Sequence, residues 1–450
     1  MTAPVSFGEA LRVWARIGLL SFGGPAGQIA LMHKELVERL HWIDEERFLH
    51  ALNYCTLLPG PEAQQLATYI GWLMHKTRGG LAAGLFFVLP GFAAILVLSI
   101  LYATLRDVPA IAAVFFGLKA AVLAVVVEAV LRIGKRALKG WSHIAIAAIA
   151  FIAIFFFEVP FPWVVLAAGL GGLAISAVLP ASKAPEQSSG EASRTSVIAA
   201  MAAEGALEHT KPSRARFIRV LAVCSALWVA PIALLAALFG RESVFVTEAT
   251  FFSQAAVVTF GGAYSVLAYI AQQAVEVYGW LQPGEMLDGL GLAETTPGPL
   301  IMVVQFVGFL GGYRFPGGLS PLAAGVLGSV ITVWVTFVPC FLWIFLGGPY
   351  VEALRGNKAA RAALSAITAA VVGVVLNLSI WFAVHVIFRA VAEQHVGPLR
   401  LLVPDLATFE PASAVLAAGA MLAMLWFKVD MPKTLLGCAL LGAAWRLAVG

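Results

Sequence analysis

Four short runs interrupt otherwise apolar segments of this sequence: Phe22-Gly23-Gly24-Pro25, Pro59-Gly60-Pro61, Phe260-Gly261-Gly262 and Pro297-Gly298-Pro299. Proline removes a backbone donor and clashes with the preceding turn, so these runs predict real breaks in helices. A helix that restarts after a break presents free N–H groups with partial positive charge, which hold anions well. Glycine lets a ligand come close to the backbone. Thr56, Thr295 and Thr296 lie beside the breaks and could add hydroxyl donors. An oxyanion with several acceptor oxygens suits such a site. A single Phe-Gly-Gly would equally be a kink or a close helix contact. Four breaks at matched positions in two halves point to a functional site.

Charged residues inside apolar segments form the second group of candidates, because each is costly within a bilayer and tends to face a cavity or a partner. Lys119 could attract a dianion, or could be one half of an internal ion pair. Glu62, Glu128 and Glu294 are candidates for carrying a coupling proton. Glu62 and Glu294 also sit where a carboxylate would complement a half-helix start. Arg12 and Arg16 read as side chains reaching the headgroups.

The elements that position these residues follow from composition. The chain has 450 residues, 60% of them hydrophobic and 12% charged, with a net charge of +4 and a mean hydropathy of +0.89. A soluble globular protein carries roughly 25% charged residues. An ordinary soluble enzyme, a disordered chain and a nucleic-acid binder are thereby excluded. The clear spanning candidates are 81–105, 110–133, 143–158, 161–179, 217–239, 321–346, 362–387, 414–427 and 434–449, with 143–158 and 414–427 short for the roughly 20 residues a span needs. The broken segments 10–33, 48–74, 250–270 and 286–312 bring the number to about thirteen.

Two halves repeat. Shifting 22–61 by 238 positions gives twelve identities in forty, including Phe22/Phe260, Trp42/Trp280 and Pro59/Pro297; composition alone would give about three. Further on, Pro90 meets Pro339 at a shift of 249. The expected division is a transporter repeat over 1–180, a polar cytoplasmic linker over 181–216, an extra helix with its connection over 217–249, and a second repeat over 250–450. Six segments return the first half to its starting side, and the extra helix then turns the second repeat over. The fold expected is therefore all-α and polytopic, with two inverted-topology repeats. Basic residues gather on one side, among them Lys76, Arg132, Lys135, Arg136, Lys211, Lys358, Lys428 and Lys433, which makes the N-terminus and the linker cytoplasmic. Trp42, Trp141, Trp163 and Trp280 near segment ends read as an aromatic belt.

No phosphate-binding loop, zinc-protease helix or nucleophile elbow is present, which argues against ATP as the energy source and against the common hydrolase chemistries. The four cysteines and eight histidines show no ligand spacing, so neither a metal nor a cofactor is expected. The first ten residues lack the pattern of a removable signal peptide.

The pattern of Phe-Gly-Gly, a Trp about eighteen residues later and then Pro-Gly-Pro, twice per chain, resembles the chromate ion transporter family in its long, two-domain form. That resemblance covers nearly the whole chain. It implies an inner-membrane protein that exports chromate and confers chromate resistance, with Phe22, Gly23, Gly24, Pro25, Pro59, Gly60, Pro61, Phe260, Gly261, Gly262, Pro297, Gly298 and Pro299 as the motif residues. The second Phe-Gly-Gly is followed by Ala263 instead of proline, so the halves need not contribute equally. The partners expected are a chromate or sulfate-like dianion, the lipid bilayer and a coupling ion such as a proton. A homo-oligomer is compatible with this reading. The rivals are a carrier of sulfate or a related oxyanion and, from another class, a membrane-embedded enzyme acting on a lipid-linked substrate.

Overall fold

The computed structural model describes residues 5–22, 24–105, 108–178, 196–260, 263–282, 284–350 and 358–449. Regular structure in these residues is helical apart from one short β-hairpin. Five helices, Glu62–Leu105, Pro109–Ala137, Arg214–Phe239, Pro321–Tyr350 and Ala362–Ile387, are long and apolar enough to cross a membrane. Large apolar side chains such as Leu89, Val97, Leu131 and Leu238 stay exposed along them. An exposed apolar surface of that kind belongs in lipid. The chain is a multi-pass helical membrane protein.

The broken segments fold as helical hairpins. In the first, α1 (Phe7–Leu20) leads to α2 (Gly24–Met32), whose last turns widen into a π-helix at His33–Arg39. In the second, α3 (Glu45–Cys55) leads through the Pro59-Gly60-Pro61 turn into α4 (Glu62–Leu105). Helix α4 leaves helical geometry at His75 and Lys76, where Lys76 has φ +55°. There the chain reverses: a Cβ added at Gly71 would lie 2.5 Å from the carbonyl oxygen of Gly79. The returning arm brings His75 Nε2 to 3.0 Å from the carbonyl of Val5, so both hairpins start and finish at one face of the molecule.

After α5 (Pro109–Ala137), α6 (Trp141–Phe157) and α7 (Phe161–Val178), the described part of the polar stretch resumes at Ser196. A short helix, α8 (Val197–Ala203), docks on the first half, with the Val197 and Ile198 N–H groups bonded to the carbonyls of His41 and Trp42. Helix α9 (Arg214–Phe239) then leads into the second half.

The second half repeats the hairpins. Helices α10 (Val244–Val258) and α11 (Ala263–Gln272) form the first, and α11 also widens into a π-helix, at Gln273–Val277. Helices α12 (Glu285–Thr295) and α13 (Val303–Arg314) form the second, joined by Pro297-Gly298-Pro299. Next come α14 (Pro321–Gly347), α15 (Lys358–Ile387), α16 (Pro411–Met421) and α17 (Met431–Val449).

Two features depart from the sequence reading. Trp141 and Trp163 are 86% and 63% exposed, as a belt requires, but Trp42 and Trp280 are each only 2% exposed. Trp42 meets Trp14 of α1 edge-on and Trp280 stacks on Phe252 of α10 at 5.9 Å, so this matched pair packs each hairpin's end against its first arm. The connection after α15 carries antiparallel strands β1 (Val391–Val396) and β2 (Leu399–Pro404), turning at Gly397 with φ +62°. Arg400 on β2 is 2% exposed and lies 3.4–3.5 Å from carboxylates of Glu158, Glu276 and Glu393. A buried guanidinium needs that many acceptors.

Candidate functional site

The turns at the hairpin tips are stitched across the two halves. The Gly60 N–H donates to the carbonyl of Thr259 at 2.8 Å, and the Gly298 N–H donates to the carbonyl of Ser21 at 2.9 Å. The two bonds are counterparts under the 238-position shift, which takes Gly60 to Gly298 and Ser21 to Thr259. Both glycines need their freedom, with φ +121° at Gly60 and +96° at Gly298. A Cβ at Gly60 would lie 2.9 Å from Cys340 Sγ and from Gln65 Nε2. One at Gly298 would lie 3.1 Å from Cα of Gly91. Gly91 and Cys340 each follow the proline inside a long helix, Pro90 and Pro339. Buried glutamines brace the turns: Gln28 Nε2 donates to the Gly298 carbonyl at 2.6 Å and Gln65 Nε2 to the Pro59 carbonyl at 2.8 Å.

Beside the tips lies a cavity of about 350 Å³, lined by residues of both halves. Gly24, the first residue of α2, with φ +68°, forms one wall. Glu128 and Arg132 enter from successive turns of α5 and face each other at 3.8 Å. Tyr264 and Glu294 come from the second half, where the Tyr264 hydroxyl donates a close hydrogen bond to Glu294 Oε1. Lys428, just beyond the π-turn that closes α16, and the segment through Pro432 complete the lining. The cavity thus combines two cationic side chains, the start of a helix and three carboxylates, Glu128, Glu294 and Asp430, of which Asp430 is paired with Lys433 at 2.8 Å. Arg132 and Lys428 belong to the set of basic residues that gather on one side of the chain, so the cavity lies toward that side.

The residues singled out from sequence fall into three groups. Gly24, Glu128 and Glu294 meet in the cavity wall. Pro59, Gly60, Pro61, Pro297, Gly298 and Pro299 build the stitched turns, with Phe22 43% exposed and Phe260 half-buried at the ends of the incoming helices. Pro25 follows Gly24 in the first turn of α2. Gly23, Gly261 and Gly262 lie outside the described residues.

The remainder sit apart from the cavity wall. Thr56, Thr295 and Thr296 donate their hydroxyls back to the carbonyls of Asn53, Leu292 and Ala293, so those protons are already engaged by their own helices. Lys119 lies 3.3 Å from Asp288 Oδ2, which also accepts from the Tyr102 hydroxyl at 2.8 Å. Lys119 thus has an ion-pair partner in the other half. Glu62 opens α4 and makes no ion pair among the described residues.

Sequence reasoning passed over Arg132, Lys428, Tyr264 and Asp288. From sequence Arg132 and Lys428 read only as side-determining charges. The one signal available was Arg132 four residues after Glu128, on the same helix face.

A sequence model described as "Chromate transporter" matches residues 8–173 and 246–443, two blocks that together cover most of the chain. The chain belongs to the chromate transporter family. It is 33% identical to a chromate transport protein of Pseudomonas aeruginosa, over 83% of this chain and 80% of that one. It is 26% identical to a chromate transport protein of Cupriavidus metallidurans, over 85% and 84%. The uncharacterized transporter YwrA of Bacillus subtilis matches at 30% identity over 35% of this chain but 90% of its own length. A relative of that size corresponds to a single half. No solved structure matches. Membership in a family of transport proteins sets aside the membrane-embedded enzyme.

Proposed function

We propose that this member of the chromate transporter family is a secondary transporter that exports chromate from the cytoplasm across the inner membrane and so confers chromate resistance. The observation that carries this reading is the cavity between the halves, where Gly24 at the start of α2 meets Arg132 and Lys428. A tetrahedral dianion offers four acceptor oxygens. Two cations and a helix start supply charge and directed donors for them.

The two repeats have inverted topology in this reading, and the reciprocal bonds Gly60 to Thr259 and Gly298 to Ser21 support it. Hairpins that enter from opposite faces meet at their tips near the midplane, as in other carriers built from broken helices. The four broken segments and nine spans give thirteen segments, with the N-terminus and linker in the cytoplasm. Rocking of one repeat against the other would expose the cavity alternately. A carboxylate among Glu62, Glu128 and Glu294 would bind the coupling proton, making the protein an antiporter. Glu294 has the strongest support, because it faces the anion cavity and holds the Tyr264 hydroxyl.

Counterflow of labelled chromate in proteoliposomes tests this. Unlabelled chromate inside should accelerate labelled uptake without ATP, and sulfate should compete weakly. Full competition by sulfate, with sulfate itself moved faster, would transfer the assignment to a sulfate carrier. Absence of any trans-acceleration would overturn the transporter mechanism.

A further inference from the structure

Glu248 is outside every site described so far. It sits one turn into α10 and is fully buried, and neither of its carboxylate oxygens completes a hydrogen bond. The carboxyl group is inserted between α13 and α14, where only glycines leave it room. A Cβ added at Gly311 would collide with Oε1, and one at Gly328 would lie 2.9 Å from Oε2. The Gly312 backbone N–H lies beside it. The Thr332 hydroxyl, also fully buried, packs against Gly308 in the same cradle and is likewise unpartnered.

Among the described residues no cation pairs with Glu248. On α10 it is the one charged residue, and α14 has none. Arg314 at the end of α13 is committed to Glu285, with both carboxylate oxygens at 2.7 Å. Helix α11 brings Tyr264, bonded to Glu294, and Tyr269, which packs on Phe251 and Phe161. The basic residues of α9, Arg214, Arg216 and Arg219, are at its opposite end. An ionised carboxylate in such a place costs several kcal/mol, so the packed cradle accommodates the group only when neutral.

We propose that Glu248 is a proton-binding site for transport, loaded when α10, α13 and α14 close together and emptied when they part. This rests on the transporter reading and adds to it a second carboxyl, remote from the anion cavity. Its position is apt for protons arriving from outside. Helix α10 begins directly after the Arg241-Glu242 loop, opposite the basic face. A proton entering there would meet Glu248 before the hairpin tip. Losing it would place a bare charge between Gly311 and Gly328, and that charge is relieved only by water admitted as the helices separate. Proton release and hairpin opening are thus one event.

The test uses the full-length protein in proteoliposomes. Glu248→Gln copies the protonated side chain in shape. Chromate counterflow, which needs no proton cycle, should persist, whereas accumulation driven by a pH gradient should be lost. Retention of pH-driven accumulation would overturn the proposal, and so would loss of both activities in a protein whose thermal stability is intact. Should Glu248→Gln fail to fold, Glu248→Asp keeps a titratable group at altered depth and should displace the pH profile of transport; an unmoved profile would refute the site. A sodium gradient that drives accumulation in place of protons, with the same dependence on Glu248, would also refute it. If the wild-type protein shows no chromate counterflow, the substrate assignment fails by itself, and Glu248 is then judged with whichever anion the wild type carries.

Discussion

The two halves share a backbone plan but divide the chemistry. Where the first half has Arg47, His50 and Thr56, the second, 238 positions on, has Glu285, Asp288 and Glu294. In the first half these positions make local contacts: Arg47 faces Asp44 at 3.8 Å and Thr56 bonds to Asn53. In the second half each carboxylate is buried and reaches across helices, Glu285 to Arg314, Asp288 to Lys119 and Tyr102, Glu294 to Tyr264. The stitched glycine turns, by contrast, are alike in both. The residues that form the hairpins are common to both copies, while at these three positions the buried carboxylates stand in the second copy alone.

The largest effect should come from the shared feature. Gly298→Val forces a branched residue into a left-handed conformation, at about 1–2 kcal/mol, and against Gly91, at about 1–3 kcal/mol more. Chromate export should be abolished with the protein still present in the membrane, as measured by uptake and by immunodetection. Gly60→Val should do the same. An inactive Gly298 variant beside a normal Gly60 variant would break the equivalence of the tips.

Next come the cavity cations. Arg132→Gln and Lys428→Gln should each raise the half-saturating chromate concentration by about tenfold, the weight of one charge-assisted hydrogen bond. Lys119→Gln should leave that concentration unchanged and instead lower thermal stability by about 1–3 kcal/mol by orphaning Asp288. Adding Asp288→Asn should recover part of that loss, which a double-mutant cycle would read as coupling. A Lys119 variant with weakened chromate affinity would return this lysine to the anion path. Smallest of all, Thr56→Val and Thr295→Val should shift chromate affinity by no more than about twofold, because their hydroxyls serve their own helices.

Helix breaks, the repeat and the membrane class were legible because proline, glycine and hydropathy act locally. The pairings were not. Nothing in the spacing of Lys119 reveals that Asp288 of the other half lies 3.3 Å away, and Lys428 enters the cavity only because α16 ends in a π-turn beside α5. The β-hairpin escaped notice for a related reason: the run from Val391 to Pro404 alternates only partly, and it is held by Arg400 reaching carboxylates far away in sequence. Trp42 and Trp280 had the composition and position of belt residues. Their burial depends on hairpin arms folding back, which a reading of continuous spans does not anticipate.

Sided labelling tests the central claim most directly: a chamber between the halves, reached from the cytoplasm, binds the dianion. With a single cysteine replacing Met431 in a background freed of the four native cysteines, a membrane-impermeant thiol reagent should react from the cytoplasmic side. Chromate should slow that reaction in a saturable way. Labelling that occurs only from the outer side, or that proceeds at the same rate with saturating chromate, would contradict the account.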